Sequence, residues 1–409
     1  MAIRPCVLYK ISCRMVLKNK LSDEITAFIQ DHINDDPYEL MLSTHKFPGL
    51  PMREIAEQIA SRQKAKGKVP EWFNNNQILF PPKQYLEQAS SEITATFKAR
   101  FLHGKRFIDL TGGTGIDTFY IAQNFNTSTY VEPNEDLCAL ATHNFEQLGT
   151  TVDVQNSTAE KVLAEGFEKA DWIFIDPSRR DDSGNKVYAL EDGVPNVVEL
   201  EEQLLNSAKN VLIKVSPMLG IKKTLKQFSS CFRVQIVSVD NEVKELLLYL
   251  NADFEGEAKI ESWNLFSNKK DKVFSFRYSE EEALSFEIGS PKEYLYEPNA
   301  ALMKAGAYKL ISSRFNLRKL HSNTHLYTSN ELMEDFPGKK LKVTQIFKPD
   351  KKEIGKRISG GKVNVLVRNY PMGANEIKKK FKLHDGGVGF LVFCEIEGIG
   401  LKAILCERV

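Results

Sequence analysis

A glycine-rich turn is the first segment of this sequence whose residues could do chemistry. It consists of Thr111, Gly112, Gly113, Thr114 and Gly115. The apolar residues 107–110 predict a short buried strand with Asp109 near its end, and a helix is expected from Ile116. Glycines let a ligand approach the backbone without meeting a Cβ atom, and the free N–H groups at a helix start favour a negative group. An ordinary strand–helix turn has a similar composition, so this turn alone does not decide the function.

Polar residues also follow the next three predicted strands, which are 129–131, 152–155 and 172–175. They are Glu132 and Pro133 after the second strand, Ser157 and Thr158 after the third, and Asp176 and Pro177 after the fourth. Glu132 lies seventeen positions past Gly115, a spacing at which a carboxylate can bind a ribose. Open α/β sheets bind ligands at such successive strand ends, so the pattern predicts a site there.

This pattern resembles the class I S-adenosylmethionine-dependent methyltransferases. The residues that match the first, second and fourth motifs of that family are Asp109, Gly113, Gly115, Glu132, Asp176 and Pro177. Two positions depart from the motifs, with Thr111 at the first glycine and Ser178 at the second proline. The resemblance implies S-adenosylmethionine as cofactor, bound by Asp109, Thr111, Gly112, Gly113, Thr114, Gly115, Asp117, Glu132, Pro133, Ser157, Thr158, Asp176 and Pro177. A nicotinamide cofactor fits less well, because Thr118 stands at the third glycine of that fingerprint.

Asp176 and Arg179 are the candidate catalytic residues. Asp176 could accept a hydrogen bond from a substrate amine or take a proton, or it could simply cap its loop. The planar guanidinium of Arg179 suits a phosphate or a base edge, although an ion pair with Asp181 or Asp182 is the simpler interpretation. The run from Asp176 to Arg179, D-P-x-R, resembles the motif of uracil-C5 RNA methyltransferases, but those enzymes need a cysteine just after the fifth strand, where this chain has Ser216. Adenine-N6 enzymes carry an aromatic residue at the position of Arg179, so they fit less well too. Direct transfer to a base nitrogen is left by elimination.

Composition is typical of a soluble globular protein with two or three domains. The chain has 409 residues, of which 42% are hydrophobic and 27% charged, and its net charge is +1. Its six cysteines include no C-x-x-C pair, so neither zinc nor disulfides are expected, and a reducing cytoplasm fits. No apolar run approaches the roughly 18 residues of a membrane span. Lys10 and Arg14 interrupt any signal-peptide core, and Met15 could be the working start.

Two histidines four positions apart, His321 and His325, invite the idea of a metal site. Nothing nearby supplies a convincing third ligand, so a polar loop ordered by its own hydrogen bonds is favoured and no metal is expected.

Positive charge is concentrated in residues 336–409, which carry sixteen lysines and arginines against seven acids, a net charge of +9. The rest of the chain is then acidic. A basic module on an acidic body is typical of nucleic-acid binding, whereas a solvated lysine surface is the simpler alternative.

The predicted fold class is α/β, a Rossmann-like class I methyltransferase core whose last strand pairs antiparallel, as the resemblance implies. Four domains are expected: an N-terminal helical region (1–100), the methyltransferase domain (101–254), a small ferredoxin-like α+β insert (255–335) and a THUMP-like basic α+β domain (336–409). In the helical region, residues 82–101 predict one helix, which either serves packing alone or covers the cofactor with its polar face around Gln88 and Ser91. Residues 336–409 predict the order β-α-β-α-β-β.

The order of these parts is similar to that of a bacterial group of methyltransferases with a C-terminal THUMP-like domain. The segments that carry the similarity are EQASSEITA, DLTGGTGIDT, IDPSRR, VKELL, YEPNAALMKAG and KLHSNTHLYTS. THUMP domains are RNA-binding modules of RNA-modifying enzymes, so the resemblance implies tRNA or rRNA as the partner. Two alternatives stay open. The first is a protein that binds RNA without turnover, which the replacement of the usual third-strand carboxylate by Ser157 or Thr158 would suit. The second is a small-molecule methyltransferase, in which the basic domain would have no obvious purpose.

Overall fold

The computed structural model describes residues 22–178, 190–267 and 269–409. These residues fall into two compact units. The first runs to Phe232 and includes Leu247–Gly256, and the second comprises Arg233–Leu246 and Glu257–Val409. Among the helices of the described residues, none has both the length and the hydropathy that a membrane span requires. The four domain boundaries expected from the sequence stay predictions.

Short helices form the N-terminal part of the first unit. They are α1 (Asp23–Asp31), α2 (Pro37–Leu42), α3 (Met52–Ala65), α4 (Pro70–Asn74), α5 (Lys83–Gln88) and α6 (Glu92–Ala99). The single helix predicted over 82–101 is wrong, because Ser91 starts a new helix by accepting the N–H of Thr94 through its side chain. Gln88 is exposed, and Ser90 rather than Ser91 is the buried residue, so a polar face around Gln88 and Ser91 that covers the cofactor stays a prediction.

A parallel sheet forms the core of the first unit. Its strands are β1 (Gly104–Asp109), β2 (Phe125–Val131), β3 (Asp153–Gln155), β4 (Ala170–Ile175) and β5 (Ala208–Val215), in the order β3-β2-β1-β4-β5. The helices of this region are α7 (Ile116–Ala122), α8 (Glu135–Gln147), α9 (Ala159–Glu165), α10 (Glu201–Ser207) and α11 (Ile221–Gln227). The strand order reverses between β1 and β4, and ligands of open α/β sheets bind at such a switch point.

An antiparallel hairpin follows, made of β6 (Cys231–Val239) and β7 (Glu242–Asn251). Its turn residues Asp240 and Asn241 have φ values of 48° and 68°, as in the two-residue turns that match the twist of a hairpin. In the first unit, the end of β7 takes the place beside β5. This arrangement confirms the predicted methyltransferase-type core with its closing antiparallel pair.

In the second unit, β6 pairs in parallel with β8 (Lys259–Leu265), and β8 pairs antiparallel with β9 (Lys272–Phe276). A second sheet has the order β11-β12-β10-β13-β16-β15-β14. Its strands are β10 (Tyr294–Pro298), β11 (Arg318–Lys319), β12 (Tyr327–Ser329), β13 (Gly338–Phe347), β14 (Asn364–Arg368), β15 (Gly389–Ile396) and β16 (Gly400–Arg408). The helices of this unit are α12 (Tyr278–Ala283), α13 (Ala300–Ala305), α14 (Tyr308–Arg314), α15 (Lys351–Arg357) and α16 (Ala374–Phe381).

The predicted β-α-β-α-β-β order of residues 336–409 is confirmed by this series of elements. Ile354 of α15 and Ile377 and Phe381 of α16 share one core cluster with Phe393 of β15. Both helices therefore bury an apolar side against the same sheet and leave their lysines outside. Strands β10 and β13 are direct neighbours, so the expected boundary between residues 335 and 336 lies between two paired strands.

Candidate active site

The glycine turn after β1 is held close to β2. The N–H of Gly112 donates to the Val131 carbonyl at 2.9 Å, and a Cβ atom on Gly112 would lie 2.1 Å from the ring of Tyr130. The Tyr130 hydroxyl donates to the carbonyl of Gly113 at 2.6 Å. Gly113 and Gly115 have φ values of 54° and 79°, and Gly115 precedes the first residue of α7. Only glycine fits at position 112, and the turn presents mostly backbone.

Glu132, at the end of β2, is tied to this turn. Its Oε2 accepts the N–H of Gly113 at 3.0 Å, and its Oε1 accepts the N–H of Asn134 at 2.9 Å. Burial raises the pKa of Glu132, and these two backbone donors oppose the rise. Because a carboxylate oxygen has two lone pairs, each oxygen of Glu132 can accept one further donor, such as a ribose hydroxyl.

Asp109 is completely buried at the end of β1. Its Oδ1 accepts the N–H of Thr111 at 2.9 Å, and its Oδ2 accepts the hydroxyl of Thr118 at 2.6 Å. Burial raises the pKa of Asp109 to about 7, the negative charges of Asp117 and Asp176 add to the rise, and the two hydrogen bonds oppose it. Both oxygens thus brace the turn and the start of α7. Thr118, which breaks the nicotinamide fingerprint, supplies one of these bonds.

The loop after β4 meets the glycine turn through one hydrogen bond. The N–H of Asp176 donates to Oγ1 of Thr111 at 2.7 Å. A glycine at position 111, as in the family motif, could not make this contact. Pro177 is half-buried next to Asp176. Arg179, the second candidate catalytic residue, lies outside the described residues.

Two lysines and two aspartates alternate along a buried path to this loop, and we call Lys98, Asp117, Lys214 and Asp176 the lysine–aspartate chain. Lys98 Nζ lies 3.2 Å from Asp117 Oδ1, and Lys214 Nζ lies 3.5 Å from Asp117 Oδ2 and 2.6 Å from Asp176 Oδ2. Side-chain exposure is 0% at Lys98, 10% at Lys214 and 34% at Asp176. The chain therefore starts in the interior and ends at the surface of the loop after β4.

Ser90 joins the members of this chain. Its Oγ donates to Asp117 Oδ2 at 2.7 Å and accepts from Lys214 Nζ at 3.1 Å and Lys98 Nζ at 3.3 Å. Burial alone would raise the pKa of Asp117, but the two lysines and Ser90 outweigh it and hold that pKa below its ordinary value. Asp117 was selected as a cofactor-binding residue, and the structure commits both of its oxygens to these interior partners.

Sequence reasoning missed Ser90, Lys98 and Lys214. A signal was present, because Lys214 interrupts the apolar run of β5 and Lys98 stands between Phe97 and Ala99 on the buried side of α6. Lysine is almost never fully buried unless it is paired, so such positions call for a partner.

The residues after β3 serve the local fold. Thr158 is exposed, and its Oγ1 caps α9 by accepting the N–H of Lys161 at 3.3 Å. Asn156, which was not selected from the sequence, donates from Nδ2 to the carbonyls of Glu132 and Pro133, both at 3.0 Å. It thereby ties the end of β3 to the Glu132 loop. The remaining selected residues, Thr114, Pro133, Ser157 and Pro177, lie in these same loops.

The two candidate metal-binding histidines, His321 and His325, have separate partners. His321 accepts the N–H of Asn323 through Nδ1 at 2.9 Å. His325 stacks on Tyr308 with ring centroids 3.6 Å apart, and burial, with nearby positive charge, lowers the pKa of His325 to about 4. Among the described residues there is no group of three or more His, Cys, Asp or Glu side chains that could hold a metal ion.

Two domain families match the second unit. Residues 294–337 match a ferredoxin-like domain, and residues 338–408 match a THUMP domain-like family. No functionally curated protein matches the sequence.

A crystal structure from Porphyromonas gingivalis W83, assigned as a methyltransferase, is similar over almost the whole chain. It is 30% identical, has a TM-score of 0.85, and the match covers 96% of this chain and 98% of that chain. A methyltransferase from Geobacter sulfurreducens (18% identity, 40% of this chain and 78% of that chain, TM-score 0.30) matches a smaller part. So does a protein from Streptococcus mutans in complex with SAH (14% identity, 39% of this chain and 96% of that chain, TM-score 0.31). At these TM-scores, neither adds to the assignment.

The fold and the first comparison define a class I S-adenosylmethionine-dependent methyltransferase, and S-adenosylmethionine is its cofactor. Within that class, the chain belongs to the bacterial family of the P. gingivalis protein and carries a THUMP-like domain.

Proposed function

We propose that this protein transfers the methyl group of S-adenosylmethionine to a base nitrogen of tRNA or rRNA. The observation that carries the proposal is the hydrogen bond from the N–H of Asp176 to Thr111 Oγ1, at 2.7 Å. It joins the loop expected to face the substrate to the turn expected to face the cofactor. Holding two reactants in fixed proximity is itself a large part of catalysis, and this contact fixes the two loops that would do so.

The residues after β1 and β2 fit the cofactor. The turn offers backbone at Gly112, Gly113 and Gly115, and Glu132 can accept two further donors, which suits the two hydroxyls of a ribose. When bound, S-adenosylmethionine supplies an electrophilic methyl group. Glu132 and the glycine turn would bind and orient the cofactor, and Tyr130 and Asp109 would hold the conformation of the turn through their hydrogen bonds to it.

Asp176 is the residue that would contact the substrate. Its Oδ2 lies against Lys214, which fixes the direction of the carboxylate, and its side chain is still one-third exposed. The carboxylate would accept a hydrogen bond from the N–H of the target base and take the proton that this nitrogen loses on methylation. Ser90 and Asp117 hold Lys214 in place from the interior.

RNA as substrate is supported by the charge pattern of the second unit. Six of the sixteen cations in residues 336–409 form ion pairs: Lys339, Lys340, Lys342, Arg357, Arg368 and Lys378. The other ten have no ion-pair partner among the described residues, and they include the exposed Lys351, Lys352 and Lys356 of α15 and Lys379 and Lys380 of α16. Such lysines bind phosphates without reading sequence.

The end of β3 favours a second candidate function, binding without turnover. Thr158, which stands near the usual carboxylate position, is used as a helix cap. Methylation of a small molecule is a third candidate, and it would leave the exposed lysines of α15 and α16 without a purpose.

Nucleoside mass spectrometry of tRNA and rRNA from a strain that lacks this protein tests the proposal. We expect one methylated nucleoside to disappear and to return with the wild-type protein but not with Asp176→Asn. Purified protein and labelled S-adenosylmethionine should then methylate RNA from that strain. Cofactor and RNA binding without a methylated product would favour the binding protein, and a labelled metabolite without labelled RNA would favour the small-molecule enzyme.

A further inference from the structure

A cavity of about 980 Å³ lies in the second unit, and none of the described residues assigned to methyl transfer lines it. Residues 365–374, from β14 to the start of α16, form much of its wall, and Glu297, Lys339, Phe390 and Glu395 also line it. A volume of this order suits a small ligand or one or two nucleotides, since ligand pockets commonly span about 300–1,000 Å³.

Two cations share one buried acid in this cavity. Glu297 is 3% exposed, and its oxygens lie 2.7 Å from Lys339 Nζ and 2.5 Å from Arg368 Nη2. The side chains of Lys339 and Arg368 remain 36% and 39% exposed, so both can also bind a ligand. The Nε–H of Arg368 has no acceptor among the described residues. Lys339 and Arg368 balance the two carboxylates of the cavity, Glu297 and Glu395, and their remaining N–H groups can donate to the oxygens of a phosphate.

The neighbouring wall offers an aromatic face and a polar edge. Tyr370 packs edge-on against Phe393 with ring centroids 5.5 Å apart, which fixes its ring. Asn369 has a φ of 48°, a left-handed conformation that is uncommon for residues other than glycine and that concentrates at binding sites. Its Nδ2 donates to Glu395 Oε2 at 3.1 Å and to Thr324 Oγ1 at 3.2 Å. Amide and carboxylate groups of this kind can hydrogen-bond the edge of a nucleobase.

Two sequence segments that methyl transfer does not use meet at this cavity. Glu297 comes from YEPNAALMKAG, and Thr324, which holds Asn369, comes from KLHSNTHLYTS. The wall also includes Ala374, the first residue of α16, so the exposed Lys379 and Lys380 follow along the same helix. Phosphates next to a nucleotide in the cavity could bind there.

We propose that this cavity binds one unpaired nucleotide of the RNA substrate, with its phosphate on Lys339 and Arg368, its base against Tyr370 and its base edge on Asn369 and Glu395. This inference rests on the proposed function, because it takes RNA to be the substrate. It adds that the RNA must present a single-stranded segment to the second unit.

The test uses the full chain and two fluorescent probes, an eight-nucleotide single-stranded RNA of mixed sequence and a blunt duplex containing the same sequence. We expect Tyr370→Ala to weaken single-strand binding about five- to a hundredfold, the range for loss of one base stack, and to leave duplex binding unchanged. Tyr370→Phe should keep the affinity. Asn369→Gly, which tolerates the positive φ, should also weaken single-strand binding and guards against misfolding of the alanine variant.

A second readout locates the base directly. A single-stranded probe with 4-thiouridine should cross-link to the peptide that contains Tyr370, and Lys379→Gln with Lys380→Gln serves as a control for general phosphate attraction. If those lysine variants weaken binding but Tyr370→Ala and Asn369→Gly do not, the cavity inference is overturned and the RNA substrate stands. If the wild-type protein binds neither probe nor total tRNA or rRNA, the proposed function itself fails.

Discussion

Lys214 Nζ lies 2.6 Å from Asp176 Oδ2 and 3.5 Å from Asp117 Oδ2, so one ammonium group serves an aspartate of the interior and an aspartate of the loop after β4. A carboxylate that must meet a substrate at a defined angle needs such a fixed partner, because an exposed aspartate alone would rotate freely. The lysine–aspartate chain thereby connects α6 of the helical region to the candidate catalytic loop.

Lys214→Met removes the charge and keeps most of the side-chain length. We expect the kcat of RNA methylation to fall about a hundredfold, because the Asp176 carboxylate is no longer held in one orientation, while the KM for S-adenosylmethionine changes little. Lys214→Arg should recover part of the activity. Lys209→Met is the matched control, since Lys209 lies on the same strand but is exposed and paired with Asp171. A wild-type kcat in Lys214→Met would make this pair purely structural.

Lys98→Met tests the buried end of the same chain. Lys98 has 0% side-chain exposure, and its loss would leave Asp117 with one lysine fewer. Breaking a buried ion pair by removing one partner typically costs about 3–5 kcal/mol, so we expect the free energy of unfolding to fall by that order. Lys161→Met removes an exposed pair with Glu165 and should cost about 0–1 kcal/mol in the same urea titrations. Equal costs for the two variants would contradict the assignment.

Glu132→Ala should weaken S-adenosylmethionine binding by about 1.5–3 kcal/mol, the value of hydrogen bonds to a charged group. Isothermal titration calorimetry measures this directly. Glu146→Ala removes an exposed carboxylate from α8 and should bind as the wild type does. An unchanged affinity in Glu132→Ala would sink the ribose assignment.

Local patterns predicted the parts of the fold that depend on neighbouring residues. The glycine turn at 111–115, the strand that precedes Glu132 and the element order of residues 336–409 follow from turn chemistry and periodicity. The lysine–aspartate chain depends on distant partners instead, since Ser90 and Lys214 are 124 positions apart. The apolar run around Lys214 indicates that this lysine is buried, but no local pattern identifies its distant partners, which is why the lysine–aspartate chain was missed.

The break in the predicted helix over 82–101 has a similar cause. Residues 82–101 contain no glycine, and no proline after Pro82, so propensity alone favours one continuous helix. The chain breaks because Ser90 must reach Asp117 in the interior, at 2.7 Å, and Ser91 then caps α6. A tertiary contact therefore overrides the local preference.

The titration of Asp109 should contribute to the pH dependence of stability. Its pKa is raised to about 7 in the folded protein, far above that of an unfolded aspartate, so the folded state holds a proton that the unfolded state has lost. The contribution of Asp109 to the free energy of unfolding is therefore fully present below about pH 4 and is lost as the pH rises through 7. Asp109→Asn stays neutral, and urea titrations from pH 4.5 to 7.5 should show a smaller loss of stability for it than for the wild type. Parallel curves would show that Asp109 is ionised throughout.

The lysines of α15 should set the salt dependence of RNA binding. Lys351, Lys352 and Lys356 are exposed and have no ion-pair partner among the described residues, so replacing all three with glutamine removes charge without breaking a bridge. Each phosphate neutralised on a single strand contributes about 0.7 to the slope of log affinity against log salt. If each lysine meets one phosphate, the slope should become shallower by about 2 in the triple variant. Fluorescence titrations with structured RNA between 50 and 200 mM salt measure it.

A charge-matched triple variant separates local binding from general attraction. Lys46, Lys83 and Lys169 are exposed lysines of the first unit with no ion-pair partner among the described residues, and their replacement with glutamine changes the net charge of the protein by the same amount. At 0.1 M salt, screening limits the interaction between exposed charges to distances of about 10 Å, so only lysines near the bound phosphates should alter the slope. We therefore expect the wild-type slope in this control. If the slope of log affinity against log salt becomes shallower by the same amount in both triple variants, RNA is attracted by the charge of the whole protein and not by the lysines of α15. If neither loses any, the lysines of α15 are a solvated surface.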